Sequence, residues 1–257
     1  ETVQDRPTYR SSCTVEFTDY TNALSALRHI SQAGLFPANC RLLDSNEALF
    51  NGAGDGSKHL LIIAFESADH DKSHSLKRAL EIAEEYEGIF EEPKELKDAH
   101  RSGSSGSWRS SFIRAPYLRE SFTRRGIIQD TFETAITWDK SHKFIETIKE
   151  QTAKAILEIT GKPSLVTCRI THSYPDGLAP YFTFGAFSTP QSMIEIWKEI
   201  KLATNEICIA NQGTVTHHHA VGRDHRPKGY DDQRPDLFNK VLVCLLYTSD
   251  AADDDAC

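Results

Sequence analysis

"LVTCRITHSYPDGLAPYFTFGAF", residues 165–187, holds two β-rich runs around a Y-P-D-G turn. Runs of β-branched and aromatic residues on either side of such a turn read as a β-hairpin. Side chains alternate along a strand, so Val166, Cys168 and Ile170 share one face and Thr167, Arg169 and Thr171 the other. On the second run Phe182 and Phe184 face a core, which sends Tyr181 to the opposite side with Thr183. The hairpin therefore predicts an antiparallel sheet with one apolar face and one polar face, the latter carrying Arg169 and Tyr181. For two such residues taken alone, a half-exposed surface pair is the plain alternative.

Helical patterns flank the hairpin. Asp139 can cap a helix carrying Phe144, Ile148, Ala155 and Ile159, stopped by G-K-P at 161–163. Thr189-Pro190 opens another, with Ile194, Trp197, Ile200 and Ile207 on one face and Gly213 just past its end. The first half carries the same theme. Val15 and Phe17 mark a strand, Ala23, Leu27 and Ile30 a helix ending at Gly34, and "NCRLLD" a second strand. "HLLIIAF" at 59–65 reads as a buried strand after the loop "NGAGDGS". Leu76, Leu80, Ala83 and Tyr86 then mark a further helix. Two strand-helix-strand sets with split pairing imply an α+β fold, an antiparallel sheet backed by helices.

The chain has 257 residues, 39% hydrophobic and 26% charged, ample for a sizeable core. No run of 18 apolar residues occurs, so no membrane-spanning segment is expected. A net charge of −8 argues against nucleic acid as a partner. Six cysteines without a C-x-x-C pair suggest buried thiols in a reducing compartment. Charge is uneven: residues 81–98 hold eight acids against two lysines, and 101–125 six arginines against Glu120 alone. The Gly/Ser-rich start of the basic stretch is expected to be a mobile loop. The arginines are either a solvated helix face or an anion site. The acidic end, "VLVCLLYTSDAADDDAC", looks like translated adapter read-through, so 243–257 is expected to be a non-native tail and 245–257 to pack against nothing; an acidic disordered tail is the plain alternative.

"GTVTHHHAVGRDHRP", residues 213–227, concentrates histidine and arginine. In an extended segment His217 and His219 point one way and His218 the other, so only one face of the triplet would meet a ligand. An H-x-H pair lacks the third ligand a metal site needs, and nearby arginines repel cations, so no metal is expected. A polar structural strand is possible. A wall facing an anionic ligand, with imidazoles as hydrogen-bonding groups, uses the residues better. There is no phosphate loop, G-x-G-x-x-G or G-x-S-x-G in the chain.

Taken in order, "PANCRLLD" (37–44), "PYLRE" (116–120), "TFETAITWDK" (131–140), "CRITHSYPDGLAPYFTF" (168–184) and "GTVTHHHAVGRDHRP" resemble the C-terminal half of the alkyldihydroxyacetonephosphate (alkylglycerone-phosphate) synthases and their bacterial FAD-linked oxidase relatives, flavoproteins of the vanillyl-alcohol-oxidase type. The resemblance runs from about residue 10 to 240. It implies a ferredoxin-like cap domain over the flavin at 11–212, a flavin-side segment at 213–242 returning to the FAD domain, and 1–10 as the trailing edge of that domain, which lies outside this chain. It implies FAD as cofactor and exchange of the acyl chain of acyl-dihydroxyacetone phosphate for a fatty alcohol, a step in ether-lipid synthesis without net redox change. Tyr181 matches the family's acid/base tyrosine, where neighbouring arginines and imidazoles would favour phenolate. Arg119 would bind the substrate phosphate, with Arg169 and Arg41 in support. His217, His218 and His219 would line flavin and substrate, with Arg223 on the cofactor side. A phosphorylated lipid substrate, peripheral membrane association through it, and a homodimer are further implications. So is a peroxisomal setting for a eukaryotic member and a cytoplasmic one for a bacterial member. The alternatives are an FAD-linked oxidase or dehydrogenase of a hydroxy acid, and a non-enzymatic anion-binding domain.

Overall fold

The hairpin forms as the alternation requires, and the rest of the sheet grows from it. Strand β6 (Val166–Ser173) and strand β7 (Gly177–Phe187) pair antiparallel, with Thr167 opposite Thr183 and Arg169 opposite Tyr181. The molecule is a computed structural model describing residues 7–91, 117 and 119–254, with side-chain placement as far as 247. Most of the arginine-rich stretch, including the expected mobile loop, lies outside the described residues.

The other strands are β1 (Tyr9–Phe17), β2 (Asn39–Leu43), β3 (His59–Ser67), β4 (Ile127–Glu133) and the two-residue β5 (Ile136–Thr137). They make one antiparallel sheet in the order β1-β3-β2-β6-β7-β4, with β5 also against β7. Strand β1 already starts at Tyr9, inside the stretch expected to trail from another domain. Each half of the sheet puts its last strand in the middle, β1-β3-β2 and β6-β7-β4. The two halves meet where Leu42 pairs with Ile170 and Leu43 with Arg169.

Helices α1 (Tyr20–Gln32), α3 (Ser73–Glu85), α4 (Ser141–Thr160) and α5 (Met193–Ala210) cover one face. Their buried stripes join Val15, Phe17, Leu61, Ile63, Phe65, Cys168, Ile170, Phe182 and Phe184 in one continuous core. Burying each large apolar side chain contributes about 1.5–3 kcal/mol. Asp19 caps α1 by accepting from the Asn22 amide at 3.0 Å, and Gly161 ends α4 with φ +68°. Two expectations fail in detail. Helix α4 starts at Ser141 with Lys140 as its cap residue, so Asp139 lies one position too early. In α5 Ile194 is 61% exposed, while Ile200, Lys201, Thr204, Asn205 and Cys208 turn inward. A buried stripe this polar does not show as apolar periodicity.

The opposite face is the polar one, covered only in part. Helix α2 (Ser45–Phe50), absent from the sequence reading, seals its β2–β3 side with Leu43, Ala48, Ala53, Leu60 and Ile62. At the far edge the chain leaves α5 through Gly213 and crosses beside β4 and β5. A Cβ on Gly213 would come within 2.5 Å of Phe144, so only glycine passes there. Helix α6 (Asp236–Asp254) runs on through position 243, where a tail was expected to begin. No Gly or Pro interrupts it, and Leu245, Leu246 and Tyr247 are exposed. Five cysteines are free among the described residues. No helix among them is long and apolar enough to cross a membrane.

Candidate active site

Between α2 and the returning segment lies an open strip of the polar face, built on Tyr181. Its neighbours are set by register: Arg169 across β6 and Glu133 across β4. The Arg169 guanidinium carbon stands 4.0 Å from the centre of the Tyr181 ring, a stacked cation–π contact. The phenol oxygen lies 3.0 Å from Thr131 Oγ1.

Arg169 is held from behind. Its Nη1 donates to Glu47 Oε1 at 2.5 Å and to Thr183 Oγ1 at 3.3 Å. Glu47 is fully buried and also accepts from Asn51 Nδ2 and the Thr167 hydroxyl. Helix α2 presents Glu47 because Asp44 caps it, accepting from the Glu47 amide at 2.7 Å. The other Asp44 oxygen takes the Cys168 amide and the Lys149 ammonium. Arg41 lies on the same face, two residues from Leu43. Burial, and then the nearby Arg169 charge, lower its pKa from the ordinary arginine value.

Glu133 organises the histidines. One of its oxygens accepts from the amides of His217, His218 and His219 at 2.6, 2.9 and 3.1 Å and from the Thr216 hydroxyl. Burial raises the pKa of this carboxyl, but the four donors together outweigh it and hold the group below its usual range. Converging amides of this kind form an anion-binding nest, here filled by the chain's own carboxylate. The expected alternation of the triplet is therefore corrected. The segment is not extended: it curls around Glu133 and fans all three rings over one side. Ring centres lie 5.5 Å apart for His217 and His218 and 4.5 Å for His218 and His219. Tyr181 is 6.2 Å from His218 and 5.4 Å from His219.

His172 joins them from β6, 5.4 Å from His217 and 4.8 Å from His218 between ring centres. Regular alternation would have turned it to the core with Ile170. A β-bulge between Ile170 and His172, opposite Pro180, turns it onto the polar face instead. Burial, followed by the charges of His218, His217 and Arg41, lowers its pKa. Burial also lowers that of His219, against the pull of Glu133. Tyr174 closes this end, its hydroxyl 3.2 Å from His217 Nε2.

The structure thus brings together Tyr181, Arg169, Arg41 and the three histidines. It does not bring Arg119. That side chain is 60% exposed and lies 3.7 Å from Asp130, whose other oxygen is held by Trp197 of α5. Asp130 is opposite Phe184, so it belongs to the helix side of the sheet. Arg223 is exposed in the turn 222–224, and among the described residues no hydrogen bond or ion pair ties it to the cluster. Sequence reasoning missed Glu47, Glu133 and His172 as site residues. Of these only Glu47 had a local signal, the D-x-x-E spacing of a helix start at Asp44.

The profile of FAD-linked oxidases, C-terminal domain, matches residues 6–240. The chain belongs to that family. In this FAD-linked oxidase C-terminal domain the sheet, its helices and the histidine segment all fall inside the match. The chain is 22% identical over 232 residues to an alkyldihydroxyacetonephosphate synthase of Trypanosoma brucei brucei, covering 82% of this chain and 37% of that protein. It is 30% identical over 148 residues to the synthase of Caenorhabditis elegans, covering 57% and 23%. A solved alkyldihydroxyacetonephosphate synthase superposes with a TM-score of 0.66 at 17% identity, over 84% of this chain and 42% of that one. A 4-ethylphenol oxidase from Gulosibacter chungangensis does so at 0.53 and 10%, over 82% and 46%. The chain therefore spans at most about two-fifths of the synthases it matches, and its fold is that of the domain. Membership of this family makes FAD the cofactor.

Proposed function

We propose that this chain is the substrate-side cap of an FAD-dependent enzyme that exchanges the acyl chain of acyl-dihydroxyacetone phosphate for a fatty alcohol. The observation that carries the reading is the meeting of Tyr181, Arg169 and three imidazoles on one open strip of sheet. Flavin, bound against the rings of His217, His218 and His219, would supply the site at which the substrate's C1 carbon is held during exchange. Tyr181 would move the C1 proton, with Thr131 orienting its hydroxyl. The guanidinium stacked on its ring stabilises negative charge as the proton leaves. Arg169 and Arg41 would take the phosphate, for which a planar fork is suited. Arg119, itself largely exposed, would assist only after leaving Asp130. The relatives' additional length would supply the part that holds the cofactor's phosphates.

The test is incorporation of labelled fatty alcohol into acyl-dihydroxyacetone phosphate by this domain joined to its FAD-binding part. Tyr181→Phe is expected to keep flavin bound and lower exchange by about 10²–10⁴-fold, the usual weight of a general acid/base. An oxidase or dehydrogenase of a hydroxy acid is the second reading, because the Arg41–Arg169 pair would take a carboxylate equally well. A silent exchange assay together with flavin bleaching by a hydroxy acid would establish it.

A further inference from the structure

Helix α5 grips the edge of the sheet with polar side chains spaced at i, i+4 and i+8 along one face. Trp197 Nε1 donates to Asp130 Oδ2 at 2.6 Å, and Lys201 Nζ to the Thr131 carbonyl at 2.8 Å. Asn205 Nδ2 donates to the carbonyls of Asp224 at 2.8 Å and Pro227 at 3.3 Å, in the segment that carries on from the histidines. We propose that Lys201 is a positioning residue for proton transfer at Tyr181, acting through Thr131. The proposal rests on Tyr181 being the acid/base group.

The register of the edge strand makes the connection. Strand β4 is the last in the sheet order, so one side of its backbone meets no strand. Thr134 donates to the Pro180 carbonyl at 3.1 Å across the β4–β7 pair, and alternation then turns the Thr131 carbonyl outward, away from β7. Lys201 takes it there from the helix side. The Thr131 side chain stands on the opposite, polar face beside Thr183, with its Oγ1 3.0 Å from the Tyr181 phenol oxygen. One residue thus joins the ammonium to the phenol, and a clamped carbonyl fixes the backbone from which the Thr131 hydroxyl projects.

Bracing the helix does not by itself account for a lysine at this position. Lys201 is 6% exposed, and among the described residues no carboxylate pairs with it and the Thr131 carbonyl is its only hydrogen-bond partner. Burial lowers its pKa from the ordinary lysine value, against the pull of Asp130 and Asp224. An ammonium buried with one acceptor is costly, whereas water meets an edge carbonyl at no such cost and methionine fills the same space. The charge also reaches the site. After burial, it is among the charges that lower the pKa of His219, whose ring centre lies 5.4 Å from that of Tyr181.

The experiment is a double-mutant cycle. Lys201→Met keeps the stem and removes the ammonium, and Thr131→Val removes the hydroxyl. In the domain joined to its FAD-binding part, Lys201→Met is expected to lower kcat for exchange by roughly 10–100-fold, the effect of a small misplacement, and to leave KM within about twofold. In the Thr131→Val background the same substitution should cost no more than about twofold, because two residues acting through one contact are not additive. Equal losses in both backgrounds would show a brace and overturn the proposal. A second arm needs no activity: in the full chain with isotope-labelled tyrosine, the Tyr181 ring signals, assigned by Tyr181→Phe, should shift on Lys201→Met. If that variant loses its circular dichroism, Lys201→Gln, which keeps a polar end in the same space, replaces it in both arms. Tyr181 signals that stay in place would overturn the proposal. Shifted signals with a silent exchange assay would sustain the link from Lys201 to Tyr181 and count against the exchange chemistry instead.

Discussion

Glu47 shows how one buried carboxylate can govern a site it does not face. It touches no candidate substrate position, yet it fixes the guanidinium that lies on Tyr181. Removing one partner of a buried pair leaves an uncompensated charge, at about 3–5 kcal/mol. Glu47→Gln is therefore expected to lower stability by an amount in that range in urea denaturation. Glu120→Gln breaks the exposed pair with Arg124 at 2.6 Å and should change it by no more than about 0.5 kcal/mol. Equal losses in the two variants would show that the Glu47 contact is not a buried ion pair in solution. At this scale the sequence was informative wherever alternation held, as for Tyr181, Arg169, Val166 and Phe182. It was silent for His172, because a bulge reverses the inside-outside order and leaves no mark in residue type. It misled on the triplet, because a carboxylate 84 residues away in sequence, not strand geometry, shapes that backbone.

The elements were legible in proportion to how apolar their buried faces are. Helices α1, α3 and α4 and strands β1, β3, β6 and β7 announce themselves by period. Helix α2 has six residues and a carboxylate on its buried side, so no apolar period marked it. Its anchoring makes a pH prediction possible. The Ser45 amide, in its first turn, donates to His59 Nδ1 at 3.0 Å, which requires that nitrogen unprotonated. Burial lowers the His59 pKa below its ordinary 6.5, against the opposing pull of Asp44. The folded state thus binds a proton less readily than the unfolded one, and stability rises with pH through this interval. The contribution is complete above pH 6.5 and is lost as the pH falls from there to the folded-state value. The His59 ring should titrate below 6.5 by NMR, with exchange of the Ser45 amide quickening in the same interval. A His59 titration at or above 6.5 would contradict the account.

Across the whole molecule, two strand-helix-strand-strand-helix halves share one sheet and one helix-side core, and the joint between them is narrow. Only Leu42–Ile170 and Leu43–Arg169 pair across it. Asp44 thickens that joint by binding α2, the Cys168 amide of β6 and Lys149 of α4 at once, with 4% of its surface exposed. The strip carrying Tyr181 is assembled from both halves, since Arg41 and Glu47 come from the first and Arg169, Tyr181 and Glu133 from the second. Arg41 and Glu47 meet the rest of the site only across the joint, so local patterns showed the second half's share, Arg169, Tyr181 and the histidines, and not the place of Glu47 behind Arg169. Loss of Asp44 should therefore act on the joint more than on either half. Asp44→Ala leaves Lys149 without its buried partner and the Cys168 amide without an acceptor, a cost of about 3–5 kcal/mol for the broken pair. Amide exchange read residue by residue is expected to quicken first in β2, α2 and β6, with Phe65 in β3 and Phe184 in β7 still protected. Uniform loss of protection across both halves would mean that the sheet opens as a single unit and that Asp44 is one core contact among many.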